Sequence, residues 1–223
     1  MTDDENPSFT EEQIALGVRL VERIIIYWIE TGLLDSSLPP EEFQSQFREL
    51  MNDFLRSDVP IRRTFDYTED ILGVAEPLGA SFPELYIVLV ATWVEHWVNG
   101  VIYIAVQRRG HDEQVAVELI RATTLDSKFG ALWLILELPE LDPNILRLVR
   151  LVAEHRNAFV HYKWRSYSSE DDSQKLLTTA VVEEASTLVN ELRGLRSLLF
   201  LGEEPGQVIA RLFDAEKRTD GES

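Results

Sequence analysis

An all-α protein is predicted, and three observations predict it. Apolar residues recur at spacings of three and four through nearly every segment, no run alternates in the manner of a strand, and capping residues, glycines and prolines fall between the periodic stretches. Together they lead to an up-and-down helical bundle with an N-terminal helical elaboration. The chain has 223 residues, 45% of them hydrophobic and 27% charged, enough to bury a sizeable core.

Each element follows from local signals. Ser8 and Thr10, followed by Glu11, Glu12 and Gln13, form an N-terminal cap for a helix running to Thr31, with Gly32 just past its end. Pro39-Pro40-Glu41-Glu42 opens a second helix, which reaches about Arg56. Residues 58–80 hold Pro60, Pro77 and two glycines and read as a short helix within a loop. Pro83 starts a long apolar helix that ends near Arg108-Arg109-Gly110. Residues 112–137 read as two shorter helices, broken near Thr123-Thr124 or Asp126. Asp142-Pro143 pairs a cap with a first-turn proline and opens the next helix. Ser166 to Ser173 is a polar, acidic loop, and a long helix follows to about Phe200, then a short one before the tail. The organisation expected is a disordered N-terminus (1–9), N-terminal helices packed on the bundle (10–80), the bundle itself (83–213) and a flexible acidic tail (214–223).

Composition narrows the function classes. Without a cysteine, neither a disulfide framework nor a thiolate metal site can form. His96, His111, His155 and His161 show no helical metal-ligand spacing, there is no phosphate-cradling glycine loop, and no metal or cofactor is expected. The opening MTDDENPSFT is acidic and polar, unlike a signal or transit peptide, and a reducing cytoplasmic setting is expected. Leu85 to Val106 is long enough to span a bilayer, but Glu95, His96 and Asn99 lie at its middle, where ionisable groups are expensive in lipid. It reads as a central buried helix, with no membrane partner.

The net charge of −18 repels nucleic acid at long range. The acids are unevenly spread, however. Between Ile145 and Tyr167, Arg147, Arg150, Arg156, Lys163 and Arg165 stand against Glu154 alone. On a helical wheel, Ile145, Leu148, Val149, Val152, Phe159 and Val160 share one apolar face, and Arg156 falls in its middle. Arg150, Glu154, Asn157 and His161 lie opposite. A guanidinium does not sit unpaired in an apolar interior. Arg156 therefore meets a buried acid, faces a subunit interface, or marks a break in the helix near residue 157. The Pro83 helix offers a complement: a narrow stripe of Thr92, Glu95, His96, Asn99, Tyr103 and Gln107, with Glu95 as candidate partner for Arg156 and Asn99 one turn on. The same stripe is equally consistent with a polar network that fixes helix register.

The stretch Arg156-Asn157-Ala158-Phe159-Val160-His161 combines a rigid donor fork suited to phosphate with the side chain best suited to moving protons near neutral pH. An arginine, four residues and a histidine near the end of a penultimate helix, in an all-α bundle, resembles the HEPN superfamily of metal-independent endoribonucleases and related binding domains. The form matched has a polar residue, Asn157, after the arginine, and the Glu95 and Asn99 stripe is similar to the one many members place opposite the motif. Arg150 and His155 also fit the spacing, but lack the asparagine and the aromatic-basic extension Tyr162-Lys163-Trp164-Arg165. The resemblance covers residues 83–200. Where a toxin branch of the superfamily carries a modified tyrosine two places after the histidine, this chain has Lys163.

The resemblance implies a homodimer whose paired motifs build one composite cleft, since five helical positions set Arg156 and His161 about 140° apart on one helix. His161 would be general acid/base, Arg156 would stabilise phosphorane charge, and Asn157 would orient the phosphate or the histidine, with Glu95 and Asn99 in support. Arg150, Tyr162, Lys163, Trp164 and Arg165 would bind RNA. A role as a toxin or antiviral defence effector, with an antitoxin or regulatory protein as partner, belongs to the same implication. A non-catalytic module binding a nucleotide, RNA or protein is the alternative.

Overall fold

The computed structural model describes residues 10–56, 68–162, 171–202 and 206–210, with the side chains of 161–162 and 171–178 outside the description. Among the described residues the fold is all-α and no strand occurs: α1 (Glu11–Glu30), α2 (Pro40–Arg56), α3 (Thr68–Ala75), α4 (Pro83–Arg108), α5 (Glu113–Ala122), α6 (Leu125–Phe129), α7 (Ala131–Ile135), α8 (Pro143–Tyr162) and α9 (Asp171–Phe200). The chain divides into two compact units, Met1–Val59 with Phe200–Ser223, and Pro60–Leu199. The boundary expected near residue 80 and the 83–213 bundle are thus redrawn. Leu201 and Val208 join the cluster built on Ile25, Trp28, Ile29, Leu34 and Phe43, so the end of the chain belongs with α1 and α2.

In the first unit α1 opens with a complete capping box. The Thr10 hydroxyl accepts from the Gln13 amide (3.2 Å), and the Gln13 side chain accepts from the Thr10 amide (2.9 Å). Gly32, with φ 78°, turns the chain out of the helix in the left-handed conformation that glycine adopts without strain. Asp35 and Ser37 shape the connection: the Ser37 hydroxyl and amide both donate to the Asp35 carboxylate, whose pKa is lowered by those bonds. Pro40 fills the first position of α2, where its missing N–H costs nothing. Trp28 then packs against Phe47 (5.9 Å) and edge-on to Phe54 (6.1 Å).

In the second unit α4 is the centre, with α3, α5, α6 and α8 packed against it. It is long and apolar enough to cross a bilayer, but here its apolar surface is covered by neighbours. Trp93, Trp97, Val98, Val101 and Ile102 are buried core, as its nearly all-round hydrophobicity requires. Asp112 and Thr124 cap α5 and α6 through the amides of Val115 (3.0 Å) and Ser127 (3.3 Å). Residues 112–137, read from sequence as two helices, form three. The extra break is Gly130, where a Cβ would stand 2.9 Å from the Asp126 carbonyl oxygen. That kink folds Phe129 and Trp133 back into a stack with Trp97. Arg109 closes the end of α4 by donating to the carbonyls of Ala105 and Leu136, and Trp133 Nε1 donates to the Pro139 carbonyl (2.7 Å). Asp142 and Pro143 start α8 as the sequence indicates, the Asp142 carboxylate accepting from the Asn144 amide (2.7 Å).

On α9, the Tyr86 and Ser186 hydroxyls share a hydrogen bond (2.8 Å), Arg147 of α8 reaches Glu184 (3.0 Å), and Arg193 reaches Glu69 of α3 (2.5 Å). Asp171 to Ser173 lie within α9 rather than in the loop assigned to them, whose remaining residues fall mostly outside the description. Residues 206–210 are helical, as the short helix expected after Phe200 requires.

Candidate functional site

The candidate motif sits on the last third of α8, and the helix is unbroken through Tyr162. Its apolar stripe first does what the periodicity asks: Ile145, Leu148, Val149 and Val152 are buried. From Arg156 onward the same stripe emerges. Arg156 and Asn157 are exposed, Phe159 is 41% exposed and Val160 50%. The helix therefore outruns the core that its first half completes. Of the three solutions open for Arg156, the helix break is excluded, and among the described residues no acid pairs with it. Its guanidinium donates to the Asn157 carbonyl oxygen of the neighbouring side chain (3.3 Å), which makes the two a joint polar group on the surface.

No ion pair joins Glu95 to Arg156 among the described residues. Glu95 acts instead on Lys128 of α6, an almost fully buried lysine (3% exposed) whose pKa is lowered by burial and partly restored by the Glu95 charge. Asp126, two residues earlier on α6, reaches Arg150 of α8 (3.6 Å). Along the α4 stripe the polar atoms differ in their surroundings. Thr92 bonds back to its own helix at the Val88 carbonyl (2.9 Å), His96 is exposed, and Asn99 Oδ1, Gln107 Oε1 and the indole nitrogens of Trp93 and Trp97 are buried without a hydrogen-bond partner among the described residues.

The basic island is selectively neutralised. Arg147 is held by Glu184 (3.0 Å) and by the Asn144 side chain (3.1 Å), and Arg150 by Asp126 (3.6 Å). Arg150 is exposed, and an exposed pair of this kind contributes little, so a phosphate can compete for it. Arg156 has no such acid among the described residues, which leaves its donor fork open to an anion. Five residues on, His161 stands about 7.5 Å further along the axis and about 140° around it. The side chains of His161 and Tyr162, and all of Lys163, Trp164 and Arg165, lie outside the described residues. No group of three His, Asp or Glu side chains is arranged to hold a metal among the described residues.

Lys128 went unnoticed in the sequence reading. Its signal was available: it lies next to Phe129 and four before Leu132, in the register of buried residues.

Comparison with protein-family models, curated proteins and solved structures finds no match. The functional reading rests on the residues of α8.

Proposed function

We propose that this chain is a metal-independent endoribonuclease of the HEPN type, acting as a homodimer in which two copies of α8 line one cleft. The observation that carries the reading is the emergence of the α8 stripe. Phe159 and Val160 extend an apolar face beyond its own core, with Arg156 on that face and Asn157 bonded to it. A second copy laid on this face buries the apolar pair and sets the two motifs side by side at one interface.

In the reaction, His161 takes the proton of a ribose 2′-hydroxyl, and the oxygen attacks the adjacent phosphorus. The 5′-oxygen leaves with a proton from the partner's His161, and the product carries a 2′,3′-cyclic phosphate. Arg156 stabilises the charge of the phosphorane and Asn157 orients the phosphate. Arg150, Tyr162, Lys163, Trp164 and Arg165 grip the strand by charge and stacking. An antitoxin or other regulatory protein covering the cleft, in the cytoplasm, completes the proposal.

One finding favours a second reading. The chain carries −18 overall, which suits a non-catalytic module whose α8 face binds a protein or nucleotide. The deciding experiment incubates wild type and His161→Ala with total RNA and tRNA in excess EDTA and tests product ends for cyclic phosphate. Cleavage by wild type alone is expected. Absence of cleavage by a folded, dimeric wild type moves the assignment to the binding module.

A further inference from the structure

The first half of α1 is specified as a helix, yet has nothing to pack on. Residues 11–20 are all exposed, although the capping box at Thr10 is complete and Glu11 and Glu12 complement the helix N-terminus. An unsupported helix of this length is marginal in water. Its residues are nevertheless apolar over a broad arc: Ile14 is 55% exposed, Leu16 65% and Leu20 59%, with Val18 beside them. Gly17 stands at the centre of that arc. A Cβ there would meet nothing within 4 Å, and Gly17 is not among the positive-φ glycines, so neither crowding nor turn geometry within the chain calls for glycine. In a helix interior glycine is less favourable than alanine. Close approach of another backbone is the remaining reason for it.

We propose that a second copy of this chain covers α1, the two α1 helices crossing antiparallel at Gly17. The face is nearly palindromic about that residue: Leu16 and Val18 flank it, and Ile14 and Leu20 lie three positions to either side. An antiparallel twofold axis at Gly17 keeps each flank facing its own copy, so Leu16 and Leu20 meet the same pair of the partner copy on one side and Ile14 and Val18 meet theirs on the other, an isologous contact. The same arrangement puts Glu12 on the same flank as the partner copy's arginine at position 23, opposite in charge. It opposes the two helix dipoles favourably. On the other flank Glu11 comes toward the equivalent of Glu22, which opens that side of the crossing to solvent. An anionic lipid surface is a poor alternative, since Glu11, Glu12 and Glu22 outnumber Arg19 and Arg23 on a chain of net charge −18.

The test uses full-length chain carrying Phe159→Glu, which disables the α8 face, so that failure here is separable from failure of the nuclease reading. The native sequence has no cysteine, so every introduced thiol is unique. Sedimentation should show a dimer that Leu16→Glu with Leu20→Glu weakens at least tenfold while the helical circular dichroism is retained. Gly17→Cys should oxidise to a disulfide-linked dimer. A monomer in the Phe159→Glu background, indifference to the Leu16 and Leu20 changes, or no disulfide-linked dimer from Gly17→Cys each overturn the proposal, as does a monomer that binds neutral lipid vesicles through α1.

Discussion

Lys128 of α6 is buried within the field of Glu95 of α4. Burial penalises the ammonium more than Glu95, itself half-exposed, restores it, so the pKa is lowered on folding. The folded state then binds fewer protons than the unfolded chain between the folded and unfolded pKa values of this lysine. The destabilisation is complete below that window and is relieved as pH rises through it toward the ordinary lysine range. Lys128→Met, which keeps the packing next to the Trp97, Phe129 and Trp133 stack, should raise urea stability by about 1–2 kcal/mol at neutral pH. The gain over wild type should shrink as pH approaches the ordinary lysine pKa. A destabilised variant would mean that the Glu95 pairing outweighs the burial.

The emergence of α8 makes a graded prediction along one helix. Val152→Ala, in the buried part of the stripe, should cost on the order of 2 kcal/mol of folding stability. Val160→Ala, at a half-exposed position of the same stripe, should leave a monomer's stability within about 0.5 kcal/mol of wild type. It should weaken self-association measured by sedimentation. Equal losses of folding stability at both positions would place the end of α8 inside a core.

Arg156→Ala removes an exposed guanidinium whose hydrogen bond is to Asn157, so thermal unfolding should stay close to wild type. RNA cleavage should fall by about 100-fold or more, the scale of losing a transition-state donor. Asn157→Ala should reduce it less. A stability loss without any effect on RNA would make the pair structural.

Arg193 joins α9 to α3 through Glu69 (2.5 Å), with Glu76 at 3.7 Å, and its pKa is raised chiefly by the Glu69 hydrogen bond. The partners are partly exposed, so Arg193→Ala should cost no more than about 1 kcal/mol in denaturant unfolding. Arg193→Lys should recover part of that loss, because a point charge does not reproduce the guanidinium fork. A loss several times larger would show that the pair is shielded from solvent.

Most helix starts and stops are legible locally, though not the break at Gly130 or the start of α9. Thr10 with Gln13, and Asp142 with Pro143, are caps whose hydrogen bonds close within three residues, and Gly32 and Gly110 are turns of one residue's conformation. Such local physics is legible without tertiary knowledge. The all-α class and the buried role of the Pro83 helix followed from periodicity for the same reason. Tertiary structure alone decided which charges meet. Arg156 could be seen to violate its apolar face, but a wheel has no end, and only the packed bundle shows that the core stops at Val152. Glu95 could be seen to need a partner, but only the packed chain buries Lys128 of α6 within its field. Long-range pairing is set by where helices stop and cross, and that is a property of the packed chain rather than of any window of its sequence.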